Sequence, residues 1–142
     1  MQSILFPNDA YQMSLRRRIA YLGYALIIIL GTIPGARAEV GEVASGFFLH
    51  FVSYACMAAL LFTGYRGTAG SRALRAVAIV AVMGALDEYI QSFLPYRNGT
   101  IRDWYVDVAA AITASLILAQ LFVRARRRAI AVSQSTPGSG SR

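Results

Sequence analysis

Apolar residues along the chain fall into four long runs that short polar segments separate. The runs cover residues 19–33, 46–65, 74–94 and 104–123. Each run, the first with the residues around Leu15 included, approaches the ~20 residues that a helix needs to cross the ~30 Å core of a bilayer. Helix breakers follow the first run at Pro34 and the third at Pro95. The pattern predicts an all-α fold, namely an integral membrane up-down bundle of four transmembrane helices.

The two ends of the chain are more polar than the runs. Residues 1–14 show no helical period, and residues 129–142 contain Ser, Gly and Pro after a basic cluster. We expect one membrane domain over residues 15–128, an N-terminal tail before it and a disordered C-terminal tail after it. Composition agrees with this class, because 56% of the 142 residues are hydrophobic, which is too apolar for an ordinary soluble domain.

The first apolar run also has features of a secretory signal peptide. Three arginines at residues 16–18 precede it, and the small-residue pattern Ala36-Arg37-Ala38 follows it. The run is at the long end for the apolar part of a signal peptide, which favours a membrane helix that is retained.

The basic residues indicate the orientation of the bundle. The 14 positive charges are all arginines, and they cluster at residues 16–18, 66–75 and 124–128, next to alternate ends of the runs. The positive-inside rule then predicts an inner (plasma) membrane protein with both termini in the cytoplasm. Because topology signals account for the net charge of +7, we expect membrane lipids as partners and no nucleic acid.

In that topology every ionisable residue that we expect to be buried falls near the outer end of its helix. These residues are His50, Asp87, Glu88, Asp103 and Asp107. Ionisable groups are costly in a bilayer and are typical of functional sites. Gln91 lies three and four residues after Glu88 and Asp87, and therefore on the same part of a helix. The sequence predicts a single outer-leaflet polar site, with Asp87 either at its rim or extended towards water.

Phosphate chemistry fits this site. Arg97 would clamp an anionic headgroup of a lipid-linked or envelope precursor, and Gln91 would hydrogen-bond it. Glu88, His50 and Asp103 are the candidates for acid–base catalysis, and Asp107 is a further binding candidate. No metal site is predicted, although two carboxylate-bearing helices and a histidine would weakly permit a divalent cation. No other cofactor is expected.

Two alternatives stay open for these residues. Arg97 can form an ion pair with Glu88 or Asp103 that only holds the helical hairpin, in which case the protein is a non-enzymatic accessory protein or scaffold. A membrane enzyme that acts on a lipid phosphate is the other alternative, and the chain contains no metalloprotease motif, phosphate loop or Ser/His/Asp spacing. A homo-oligomer is compatible with either.

The string DEYIQSFLPYR and the aspartate that follows it resemble the VanZ-like membrane family. The positions that match in type and spacing are Glu88, Gln91, Pro95, Arg97 and Asp103. The resemblance also places His50 and Tyr54 at expected positions and makes Tyr54 a ligand-binding candidate. It implies a retained first helix and an envelope function, with a link to susceptibility to the glycopeptide teicoplanin. Asp107 stands where the family has asparagine, and Ala110 where it commonly has glycine.

Overall fold

A computed structural model describes residues 5–34, 46–96 and 100–135. Within those ranges the regular elements are four α-helices, with no strand. The helices are α1 (Ala10–Gly31), α2 (Gly46–Gly64), α3 (Ala69–Gln91) and α4 (Ile101–Ser135). The predicted all-α class is therefore confirmed.

Side-chain caps begin two of the helices. Asp9 has an extended backbone before α1, and its carboxylate accepts a hydrogen bond from Gln12 N at 3.0 Å. Thr68 precedes α3 in the same way and accepts from Ser71 N at 3.2 Å. Each cap satisfies an N–H group that has no partner within its own helix.

The helical part of the chain extends beyond both expected domain boundaries. Because Asp9 caps the chain there, α1 begins at Ala10, inside the segment expected to be an irregular tail. At the other end, α4 continues through Ser135, so the described part of the tail expected to be disordered is helical. Arginine and alanine dominate the stretch after Val123, and both are strong helix formers.

Contacts at one end of the bundle fix the relative direction of three helices. The hydroxyl of Tyr54, a residue in the middle of α2, donates to Asp87 near the end of α3. His50 at the start of α2 contacts Asp107, near the start of α4. The helices α2 and α4 are therefore parallel, and α3 runs in the opposite direction. We call this end of the bundle, which contains these four residues, the acidic end.

The opposite end of the bundle contains most of the arginines, and we call it the arginine end. Arg17, in the second turn of α1, donates to the backbone oxygen of Gly64 at the end of α2. Phe62 of α2 packs edge-on against Phe122 of α4, with ring centroids 6.4 Å apart. Successive helices therefore alternate in direction, as the prediction of an up-down bundle requires.

Small residues allow α3 and α4 to approach closely. Ala110, Ala111 and Ser115 of α4 are buried, whereas Ala85 of α3 is exposed and does not take part. Gly84 is the residue of α3 that makes the close approach instead. A Cβ atom at Gly84 would lie 2.8 Å from an Asp107 carboxylate oxygen, which is closer than real contacts. The glycine therefore allows Asp107 to enter the bundle.

Two of the described helices are long and apolar enough to cross a membrane, as judged by length and composition. They are α2 and the Ile101–Gln134 part of α4. Large apolar side chains on the outside of the other two helices, such as Leu22 of α1 and Val82 of α3, are also exposed. Charged groups within or beside the apolar parts of α1 and α3 lower their hydropathy. The four-span topology remains a prediction.

Candidate functional site

Side chains from three helices converge at the acidic end, and we call this group the polar cluster. Its members are His50, Tyr54, Asp87, Glu88, Gln91 and Asp107. Three of them are carboxylates that lie where α2, α3 and α4 meet. Carboxylates in such a position require hydrogen bonds or positive partners to offset their desolvation.

The first part of the polar cluster joins α2 to α4. His50 Nδ1 lies 2.9 Å from Asp107 Oδ1, which is hydrogen-bonding distance. Asp107 is fully buried, whereas 12% of the His50 side chain is exposed. The imidazole stacks on the Tyr54 ring at a centroid distance of 5.9 Å. The histidine therefore lies between a buried carboxylate and the outside of the bundle.

The second part of the polar cluster centres on Asp87, which is only 2% exposed. Its carboxylate accepts hydrogen bonds from the Tyr54 hydroxyl at 3.0 Å and from Gln91 Nε2 at 2.8 Å. The expectation that Asp87 lies at the rim or extends towards water is therefore wrong. Burial between α2 and α3 rotates this carboxylate inward, where two donors replace the hydrogen bonds of water.

Glu88 connects the cluster to the segment before α4. Its Oε2 atom accepts a hydrogen bond from Thr100 N at 2.6 Å. Asp103 is half-buried nearby, and no described hydrogen bond joins its side chain to the cluster, although its charge acts on the cluster through space. Arg97, the predicted phosphate clamp, lies outside the described residues, as does its predicted pairing with Glu88 or Asp103.

Two buried carboxylate oxygens in the cluster have no hydrogen-bond partner among the described residues. They are Glu88 Oε1 and Asp107 Oδ2. One possible ligand atom from each of His50, Glu88 and Asp107 lies within 4.8 Å of the other two. A zinc ion with bonds of ~2.1 Å separates its ligand atoms by up to ~4 Å, so a small inward shift would bring the three onto one ion. These residues could therefore hold a divalent cation.

A family model described as VanZ/LLP1 matches residues 8–124 of the chain. The matched range includes α2, α3 and the whole polar cluster. The chain belongs to the VanZ/LLP1 family. This confirms the VanZ-like resemblance of the sequence. No curated protein and no solved structure matches the chain significantly.

Two features of this VanZ-like site escaped the sequence analysis. One is the central position of Asp87, which its four-residue spacing from Gln91 could have indicated. The other is the support given by Gly84 and by Trp104, whose indole N–H donates to Ala81 O at 2.9 Å and links α4 to α3. No local pattern distinguishes Gly84 from the other glycines of the chain, because its role depends on a neighbouring helix.

Proposed function

We propose that this VanZ-like envelope protein binds the anionic headgroup of a lipid-linked or envelope precursor at the polar cluster, near the outer leaflet. The observation that supports the proposal is the convergence of six polar side chains from three helices, one of which, Glu88, contacts Thr100, a residue close to Arg97 in the sequence. A single ion pair that only held the hairpin would not need Tyr54, Gln91 or His50.

The charge of the cluster sets a condition on such a ligand. Three carboxylates repel a phosphate, so a headgroup requires positive partners at this end. Arg97 is one of them, since its guanidinium can donate two parallel hydrogen bonds to phosphate oxygens. A divalent cation on His50, Glu88 and Asp107 is the second, and its binding would replace the hydrogen bond between His50 and Asp107.

One contact favours a second candidate function. The hydrogen bond from Thr100 N to Glu88 ties the end of α3 to the start of α4. On this alternative the polar cluster locks the connection between the helices, and the protein acts as a scaffold or accessory protein. A membrane enzyme that acts on a lipid phosphate would use the same residues as the headgroup site, with His50 and Glu88 in proton transfer.

The experiment that separates these functions pairs a stability measurement with a binding measurement. We compare Arg97→Gln, Glu88→Gln and the double variant with Arg102→Gln, which removes an exposed arginine at the same end. The readouts are the melting temperature in detergent, binding of a polyprenyl phosphate with and without added Zn²⁺ or Mn²⁺, and teicoplanin susceptibility of cells that express each variant.

A headgroup site predicts that Arg97→Gln melts within a few degrees of the wild type and loses at least tenfold in affinity for the polyprenyl phosphate. Glu88→Gln should lose the dependence of that affinity on the metal. If every loss of binding or of the susceptibility phenotype follows a loss of folded protein, and the double variant recovers both stability and binding, the polar cluster only stabilises the fold. If Arg102→Gln loses as much affinity for the polyprenyl phosphate as Arg97→Gln, binding depends only on the overall positive charge at the acidic end.

A further inference from the structure

The arginine end contains a buried charge that the sequence analysis did not foresee. All ionisable residues inside the bundle were expected at one depth, near the acidic end. Arg72, in the first turn of α3, is only 6% exposed and lies at the opposite end. A buried guanidinium is costly unless its donors are hydrogen-bonded or its charge is paired. Arg72 therefore requires stabilising partners at the arginine end.

Two contacts fix the orientation of Arg72, and neither neutralises it. Its Nε donates to Gly67 O at 3.1 Å, and its guanidinium carbon lies 4.5 Å from the centroid of the Phe122 ring. Gly67 has φ +134°, a conformation that favours glycine. A glycine at this position therefore allows the loop backbone to accept the hydrogen bond from Arg72. Arg72 Nη1 is buried and has no hydrogen-bond partner among the described residues.

A second arginine reaches the same aromatic ring. The guanidinium carbon of Arg126 lies 5.8 Å from the Phe122 centroid. Both arginines line a cavity of about 740 Å³, together with the polar side chains of Asn8 and Ser133. No aspartate or glutamate is among the described residues that line it. Two like charges that converge without a carboxylate repel each other and attract an anion.

We infer that this cavity binds a phosphate-type anion, with Arg72 and Arg126 as its paired cations. Arginine side chains match the geometry of phosphate oxygens and can donate two parallel hydrogen bonds to them. The amide of Asn8 and the hydroxyl of Ser133 provide further donors at the wall. The volume is within the ~300–1,000 Å³ of typical ligand cavities. The anion is either the headgroup of a phospholipid or a free phosphate compound.

This site is independent of the headgroup site proposed for the polar cluster. It lies at the other end of α3 and α4 and shares no residue with that cluster. In the predicted topology it faces the cytoplasmic leaflet, where clusters of arginines meet anionic lipids. Either proposal can therefore be wrong without the other. Glu88→Gln distinguishes the two sites, because it changes the polar cluster and leaves the lining of the cavity intact.

The test uses the full chain in nanodiscs and measures the melting temperature. One series adds inorganic phosphate to nanodiscs of phosphatidylcholine, and the other increases the fraction of phosphatidylglycerol. The variants are Arg126→Gln and the matched control Arg127→Gln, which removes an equal charge from the next position of α4 and does not line the cavity. Arg72→Gln is a second test of the cavity, and Glu88→Gln monitors the acidic end.

We expect a bound anion to raise the melting temperature of the wild type, of Arg127→Gln and of Glu88→Gln alike. Arg126→Gln should lose at least four-fifths of that rise. Without anions it should melt no lower than the wild type, because the repulsion with Arg72 is gone. A rise in the phosphatidylglycerol series alone identifies a lipid headgroup, and a rise with phosphate alone identifies a soluble anion.

Two results would overturn the inference. The first is the lack of any rise in either series for the wild type. The second is a rise in Arg126→Gln as large as that in Arg127→Gln, which would make the effect one of general surface charge. If Arg72→Gln folds and also keeps the full rise, the anion does not occupy this cavity.

Discussion

At the acidic end, individual donors hold carboxylates that would otherwise be costly to bury. Asp87 has two of them, Tyr54 and Gln91, and both lie within 3.0 Å of its oxygens. The tyrosine matters most for packing, because it is 1% exposed and comes from a different helix. Its hydroxyl is therefore a tertiary contact, whereas the Gln91 amide lies on the same helix as Asp87.

We predict that Tyr54→Phe destabilises the protein by about 1–3 kcal/mol, because it removes a donor from a buried carboxylate and leaves the ring in place. Reversible unfolding in mixed micelles measures the free energy. Tyr89→Phe is the control, since its hydroxyl belongs to an exposed residue of the same end. Asp87→Asn in the Tyr54→Phe background should cost less than in the wild type, and strict additivity of the two costs would contradict the contact.

At the level of the helices, one close approach between α3 and α4 allows the polar cluster to lie inside the bundle. Gly84 of α3 faces the Asp107 and Trp104 side chains of α4, and the glycine contributes no side chain of its own at that point. Close helix approaches at small residues are typical of membrane proteins, where packing takes over much of the role of the hydrophobic effect. The depth of Asp107 in the bundle thus depends on the spacing of α3 and α4.

We predict that Gly84→Ala destabilises the bundle by about 1–3 kcal/mol, because the added methyl group forces α3 and α4 apart. Gly70→Ala is the matched control, since it makes the same change in the same helix with no atom within 4 Å of the new Cβ. Chemical unfolding of both variants provides the comparison. If Gly84→Ala is as stable as Gly70→Ala, the approach of the two helices does not limit stability.

The whole molecule separates its charges along the bundle. The described acidic residues of α3 and α4 lie at the acidic end of the bundle. The arginines near the starts of α1 and α3 lie at the arginine end. Such a separation suits a membrane with positive loops inside. Because α2 and α4 are parallel, both could cross a membrane only if the chain also crossed it in the opposite direction between them.

For the topology we predict that both termini and the segment between α2 and α3 are cytoplasmic, because the arginine clusters lie there. A fluorescent protein fused after Arg142 should fluoresce, and a cysteine placed at Asn98 should react with an impermeant thiol reagent added to intact cells. Cys56 must first be replaced, for example by alanine, because it is exposed. A periplasmic C-terminus would refute this arrangement and move the polar cluster to the inner side.

By itself the sequence determined the helical class, the approximate helix positions, the family and the end of the bundle at which the acidic residues lie. These features depend on local composition and period. Long apolar runs require helices in a bilayer, because every backbone polar group must be satisfied within its own segment. The four-residue spacing of Asp87 and Gln91 was likewise visible, since neighbours on a helix surface follow from its pitch alone.

Only the tertiary structure decided which of those residues are buried and which groups they meet. Asp87 enters the centre of the cluster because α2 supplies Tyr54, and Gly84 becomes essential because Asp107 lies opposite it. Arg72 is buried because α4, which continues past the end of the fourth apolar run, places Phe122 and Arg126 beside it. These outcomes depend on the rotation and spacing of helices that are far apart in the chain, and packing between side chains, which no local pattern records, sets both.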